Sequence, residues 1–401
     1  MNNKLFQGMR ILDFTTNVSG PAGTAYFADY GAEVIKVERP LRGDDNRTFP
    51  PMMEGQGTIG FWVNRSKRSI ELDMKTPEGL EVAKKLVAVC DVVAESYRPG
   101  IMKKFGLDYE SLKAIKPDII YLSMPAYGND GPYAKRPGYD LIAQAVSGQM
   151  DLNGEEGGPA MKSGLTQGDY WGGINAFAAL ATAWYHHQKT GEGQFVESPL
   201  VGNLVYQNNA ILATNIGEYP THHGNDSLDY APYGLFSLNK DEHIIICVTD
   251  DQMWKNLCGV LEHPELADDP RFATNAKRLE NRAEIKALIE QWLKTQESAA
   301  AASAKVEATG IPSCRVNNME QAVSDPHVQK CKWVFDLGTP ADVQKTRSFI
   351  SRNVSGELSR TPGCAAPAPV LGIDNYEILS EIGMSKEDVD KLMAPWKENQ
   401  K

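Results

Sequence analysis

At 401 residues the chain is long enough to bury a large core and to divide into two domains. A formal net charge of −11, with no block of consecutive Lys and Arg, argues against nucleic acid or an anionic membrane as partner, since both require a basic footprint. No unbroken apolar run of about 20 residues occurs, and the opening "MNNKLFQGMRILDF" lacks a charged segment followed by an apolar one, which points to a cytoplasmic location. The six cysteines lie far apart without a CxxC, a pattern that suits reduced thiols serving as small buried hydrophobes better than disulfides or a zinc site.

Along the first 150 residues, short β-like runs alternate with helical patterns. "RILDF" (10–14) and "EVIKVE" (33–38) bracket a helix that starts near Ser19-Gly20-Pro21 and stops at Gly31. "SIELDM" (69–74) leads into "TPEGLEVAKKLVAVC" (76–90), with Thr76 as cap, Pro77 at the first helical position and Leu80, Val82, Leu86 and Val87 at helical spacing. "DVVAES" (91–96) and "DIIYLSM" (118–124) continue the strand series, so an α/β fold with a largely parallel sheet is expected. A long alanine-rich helix follows Asp169 and ends at "KTGEG".

The texture changes at "GEYPTHHGNDSLDYAPYG" (217–234), which reads as the entry to a second domain. "LFSL" and "HIIICVT" follow as strands, then helices over 252–262 and 281–308. The last 70 residues carry the proline-rich "GELSRTPGCAAPAPVLGIDN", read as extended, and then a helix ending near "LMAPW".

Asp169, between glycines at the mouth of the long helix, is either a helix cap or a nucleophile or base held where a substrate can come close. The loop "NVSGPAG" stands where a dinucleotide fold would place GxGxxG, and a proline inside the phosphate turn disfavours a nicotinamide site. His186-His187 and His222-His223 are adjacent pairs, not the three- or four-residue spacing that puts two metal ligands on one helix face. No GxSxG elbow occurs.

"GAEVIKVERP" (31–40), "NRSKRSIELDMKTPEG" (64–79), "ESYRPGIMKKFGLDYESL" (95–112), "YGNDGPYAKRPGYDLIAQAVSG" (127–148), "GDYWGGINAFAALATAW" (168–184) and "KTGEGQFVESPL" (189–200), in that order, resemble the family III CoA-transferases. "YAPYGLFSLNKDEHIIICVTDD", "TGIPSCRV" and "LGIDNYEILSEIG" extend the resemblance almost to the end of the chain. It implies transfer of CoA between an acyl-CoA donor and a free organic acid, with CoA and acyl-CoA as substrates and no permanently bound cofactor. The implied nucleophile is Asp169, which at an ordinary carboxylate pKa is ionised at neutral pH and needs no neighbouring base. Tyr139 and Asp140 are implied beside it as catalytic groups, Tyr139 donating a hydrogen bond to the acyl carboxylate or its intermediate. Backbone N–H groups should face the reacting carbonyl, with Gly172 and Gly173 or a loop near Gly224 allowing the approach and helix packing as the other reading of the first two.

For CoA itself the resemblance implies Asn17 and Val18 after the first strand, Arg39 after the second, Leu72, and Ser96, Tyr97, Arg98 and Lys104 in the segment 95–104; Arg39, Arg98 and Lys104 would meet the phosphates. The family often has Asn-Phe where this chain has Ser96-Tyr97. Phe49, Met52, Met53, Phe61, Trp62 and Tyr230 line an apolar acyl pocket or belong to the core. An α-methylacyl-CoA racemase is the alternative within the superfamily, but related racemases use a histidine where this chain has Tyr139, a poor proton shuttle at pH 7. An inactive CoA-ester-binding protein is the alternative outside enzymes. The implied fold is a Rossmann-like large domain from both chain ends (1–220 and 329–401), a smaller α+β domain (221–328), and an interlocked homodimer.

Overall fold

The computed structural model of the protein describes residues 4–343, 349–352 and 358–398. Met1 to Asn3 of the opening segment, and Gly356 and Glu357 at the head of the proline-rich stretch, therefore lie outside the described residues. The chain divides into two compact units, one of Met1–Asp151, Met161–Pro220 and Cys331–Lys401, the other of Leu152–Ala160 and Thr221–Lys330.

In the first unit, β1 (Arg10–Asp13), α1 (Ser19–Asp29), β2 (Glu33–Glu38), β3 (Arg68–Glu71), α2 (Pro77–Ala88), β4 (Val92–Glu95) and β5 (Ile120–Ser123) follow the expected alternation. Thr76 caps α2 by accepting the Gly79 N–H at 3.1 Å. Then come α3 (Asp140–Val146), α4 (Gln167–Thr190), which Gly191 closes with a φ of 74°, and β6 (Phe195–Glu197). All six strands are parallel, in the order β3-β2-β1-β4-β5-β6. Alternation along the strands divides the core between the two faces. Leu12, Ile35, Ile70 and Val93 meet α2, while Ile11, Val34, Val92 and Ile120 meet α1 and α4.

Two features place the functional region. Helices α1 and α4 cross closely because Gly23 faces Gly173, and a Cβ on Gly173 would stand 3.0 Å from the Ser19 carbonyl and 3.2 Å from the Gly23 nitrogen. The chain's end returns to the sheet through α8 (Asn375–Glu381) and α9 (Lys386–Glu398), after the second unit. There the Asp374 carboxylate accepts the Ser69 N–H and the Asn375 side-chain oxygen accepts the Glu71 N–H, both at 2.8 Å, so side chains occupy the donors along the outer edge of β3.

The second unit holds an antiparallel sheet ordered β9-β8-β7, made of β7 (Tyr233–Ser237), β8 (His243–Cys247) and β9 (Ser313–Arg315). Helices α5 (Asp251–Val260), α6 (Arg282–Leu293) and α7 (Ala299–Glu307) pack on it around Phe236, Ile246, Trp254 and Ile289.

The cysteines depart from expectation. Only Cys90 and Cys258 are buried, while Cys247 is half-buried and Cys314, Cys331 and Cys364 are exposed. No helix among the described residues is long and apolar enough to cross a membrane.

Candidate active site

The strand order reverses between β1 and β4, and in open parallel sheets the crevice beyond the carboxyl ends at such a switch point is where ligands settle. Here that crevice is a groove of about 600 Å³, bordered by Thr16 after β1, Arg39 and Arg42 after β2, Leu72 and Lys75 after β3 and Tyr97 after β4. The Thr16 N–H donates to the Ser96 hydroxyl at 2.8 Å, joining the loops after β1 and β4. Arg39 is steered by the Asp45 carboxylate at 2.5 Å and the Gly43 carbonyl at 3.0 Å. Of the positions expected to meet CoA, Arg39, Leu72 and Tyr97 border the groove, and Ser96 touches it only through its bond to the bordering Thr16. Arg98 and Lys104 are exposed and do not line it.

The loop after β1 rests on buried charge. Lys67 pairs with Asp13 at 2.9 Å, Lys36 pairs with Asp44 at 2.9 Å, and Lys36 also donates to the Thr15 carbonyl. Burial works to raise the Asp13 pKa, but Lys67 and Lys36 outweigh it and hold the group well below the usual carboxylate range. Burial, with Lys36 nearby, lowers Lys67 to about 8 against the pull of Asp13. Asp44 accepts the Asn17 N–H at 3.0 Å, and Asn17 sits in the left-handed region with φ 66°, which Asn tolerates better than most residues. The "NRSKRS" stretch thus serves as scaffold: Lys67 underpins the loop, and Arg65 grips Asp29 at 2.6 Å.

One residue further, the same loop turns to a different cavity. Val18 borders a cleft of about 470 Å³ with Phe49, Ile59, Tyr139, Lys162, Asp169 and Tyr170. Asp169 lies in the first turn of α4, but it does not cap the helix. Asp140 does that from α3: its Oδ1 accepts the Gly168 N–H at 2.6 Å and the Asp169 N–H at 3.4 Å, while Oδ2 accepts from Gln144 Nε2 at 2.7 Å. Asp169 is consequently left with a partly buried carboxylate that no donor satisfies among the described residues.

That arrangement corrects two expectations for Asp169. The capping role belongs to Asp140, and the carboxyl is not an ordinary one: burial, and then the charge of Asp140, push its pKa up to about 7. Tyr139 is 69% exposed at the head of α3 on the cleft rim. Gly172 and Gly173 serve packing, since a Cβ on Gly172 would stand 2.4 Å from the Ser19 hydroxyl. Gly224 and Tyr230 belong to the second unit. Of the candidate pocket aromatics, Phe49 lines the cleft, whereas Phe61 and Trp62 are buried in the core beneath it. Met52 is exposed and Met53 packs against that core. Arg352 stacks its guanidinium on Trp62 at 3.9 Å and on Tyr170 at 4.5 Å.

The sequence reading passed over Gln144 and Lys162. The pair Asp140 and Gln144 has the i, i+4 spacing that joins side chains on one helix face, a usable signal. Lys162 offers no pattern at all.

The α/β unit thus carries a strand-end groove bordered by Arg39, Arg42 and Lys75, and a second cleft, reached by Val18 of the loop after β1, that holds the Asp169 carboxylate. The chain belongs to CoA-transferase family III, whose profile matches residues 6–375. It is 37% identical over 395 residues to the human succinyl-CoA:glutarate CoA-transferase, covering 95% of this chain and 87% of that protein. It is 34% identical over 388 residues to the succinyl-CoA:mesaconate CoA-transferase of Haloarcula hispanica, covering 94% and 96%. A solved structure of a CAIB/BAIF family protein from Brucella suis superposes with a TM-score of 0.86 at 33% identity, over 95% of this chain and all of that one.

Proposed function

We propose that the protein moves CoA from an acyl-CoA to a free short dicarboxylic acid through covalent intermediates on Asp169. The observation that carries the reading is the Asp169 carboxylate itself, left without a hydrogen-bond donor among the described residues, in a cleft reached by the same loop that borders the strand-end groove. The relatives' named acids, glutarate and mesaconate, support the substrate class.

In the first step an Asp169 oxygen attacks the thioester carbonyl, the C–S bond breaks, and CoA thiolate leaves a mixed anhydride. Thiolate then attacks the aspartyl carbonyl, the donor acid departs as carboxylate, and an aspartyl-CoA thioester remains. The acceptor carboxylate attacks that thioester and expels thiolate; thiolate then attacks the acceptor carbonyl, freeing Asp169 and the new acyl-CoA. Each step exchanges one acyl bond for another, so the thioester's energy is conserved. A raised pKa makes Asp169 more basic than a solvated carboxylate, and a more basic oxygen is the better nucleophile once ionised. Arg39, Arg42 and Lys75 supply cations for the CoA phosphates, and Ser96 with Thr16 orders the loop that the pantetheine chain would pass.

A homodimer, interlocked as in the family, accompanies this reading. Tyr206, Leu212, Ile216 and Tyr219 of the first unit are each at least 70% exposed, an apolar surface that a second copy would cover.

The test is intact mass after mixing the protein with a panel of acyl-CoAs and trapping with hydroxylamine or borohydride. A modification at Asp169 that Asp169→Asn lacks supports the covalent route. No adduct from any donor, together with α-proton exchange into heavy water, would replace it with the racemase.

A further inference from the structure

The Asp169 cleft is lined by one cation. Lys162 is the sole Lys or Arg lining it among the described residues, in company with Val18, Phe49, Ile59 and Leu165. Its ammonium makes a single hydrogen bond, to the carbonyl of its neighbour Ser163 at 3.4 Å, and no ion pair at contact distance among the described residues; its charge acts at longer range on Asp140, opposing the burial that raises that carboxyl's pKa. Arg352, the other cation close by, is occupied by the rings of Trp62 and Tyr170.

An exposed lysine that merely meets water needs no support, yet this one stands on a braced loop. Gln144, 1% exposed, accepts the Ser163 N–H at 3.0 Å and donates to the Leu165 carbonyl at 3.3 Å and to Asp140 Oδ2 at 2.7 Å. Asp140 in turn holds the start of α4 through the Gly168 N–H. One buried amide therefore ties the backbone beside Lys162 to the helix turn that bears Asp169, and the positions of cation and carboxylate are set together.

We propose that Lys162 is the specificity-determining residue for the acid: its ammonium pairs with the free distal carboxylate of a dicarboxylic acyl group seated at Asp169, and Gln144 positions it. The inference rests on the transferase reading and adds the residue that chooses the substrate. A monocarboxylate of equal length meets only the apolar walls and leaves the ammonium unpaired. A charge-assisted contact next to apolar walls is worth more than the same contact in open water. A lysine, being a point charge on a flexible stem, tolerates more than one acid length, so four- and five-carbon dicarboxylates are both accepted.

The experiment compares kcat/KM for glutarate with that for pentanoate, and for succinate with that for butyrate, using whichever of acetyl-CoA and succinyl-CoA loads Asp169. Wild type favours the dicarboxylate of each pair. Lys162→Gln lowers that preference by about tenfold or more, chiefly through KM; Lys162→Glu lowers it further and Lys162→Arg restores most of it. Salt supplies a readout that a structural role does not move: added NaCl raises the glutarate KM of wild type and leaves that of Lys162→Gln nearly flat. The stoichiometry of the Asp169 adduct in each variant shows that the site is intact. A wild type that favours the monocarboxylates, or a preference unmoved in Lys162→Gln and Lys162→Glu, overturns the proposal. A wild type that transfers CoA to no acid and forms no adduct removes the transferase reading itself, and does so before any variant is made.

Discussion

The Asp169 carboxylate is left without a donor among the described residues because Asp140, reaching across from α3, accepts the N–H groups at the start of α4. Two carboxylates share that helix end, and one is satisfied at the expense of the other's ionisation. Two pH effects follow. Attack requires the ionised form, so the rate of adduct formation rises through about pH 7 and then levels; Asp140→Asn, removing the like charge, moves that rise to lower pH. Stopped-flow thiolate release across pH 5–9 reads both. The second effect is on stability. The folded-state pKa lies above the unfolded one, so the native chain keeps a proton that the unfolded chain has lost between about pH 4 and 7. The associated stability is full at the acid end and gone once the pH passes about 7. Asp169→Asn, with no charge to bury, is therefore more stable than wild type at pH 8 by about 1–3 kcal/mol and nearly equal to it at pH 4, as urea titrations at the two pH values will show.

Between elements, the crossing of α1 and α4 decides how near Asp169 comes to the loop after β1. Gly173→Ala drives a methyl group against backbone atoms of α1, which cannot rotate away. We expect a loss of about 1–3 kcal/mol and a slower adduct step, while Gly259→Ala, whose Cβ would meet nothing within 4 Å, is neutral or stabilising. At this scale much of the fold was legible. "RILDF", "EVIKVE" and "DIIYLSM" are apolar runs of the kind that strands buried on both faces require, and Thr76-Pro77 announces its helix. β6 was not legible: it has three residues and one buried side chain, and only the neighbouring β5 makes it a strand. The same division holds in the site. Asp169 stood out by its setting, and its pKa did not, because the cause is Asp140, 29 positions away in sequence and adjacent only after α3 and α4 pack. The Lys67–Asp13 pair was equally hidden, since a lysine in a polar stretch reads as surface. Lys67→Met, which leaves Asp13 buried without its cation, is expected to cost about 3–5 kcal/mol by chemical denaturation.

For the whole molecule, the proposed homodimer would cover the exposed apolar surface around Tyr206 and Tyr219. The thermal midpoint should then climb with protein concentration, and sedimentation should show a dimer at micromolar concentration; a folded, active monomer at nanomolar concentration would remove the interlocked form. The return of the chain's end to β3 has a different consequence, one for the protein's synthesis. Ser69 waits for a partner 305 positions downstream, and a ribosome working at about 5–20 residues per second takes roughly 15–60 s to deliver it. Through that interval the nascent sheet presents a strand edge with unpaired donors, the kind of surface on which chains join one another. Translation that stalls before Asp374 should leave aggregation-prone fragments even though the remaining strands of the sheet have all been made, so the tail acts last as the cover that makes the sheet safe to release.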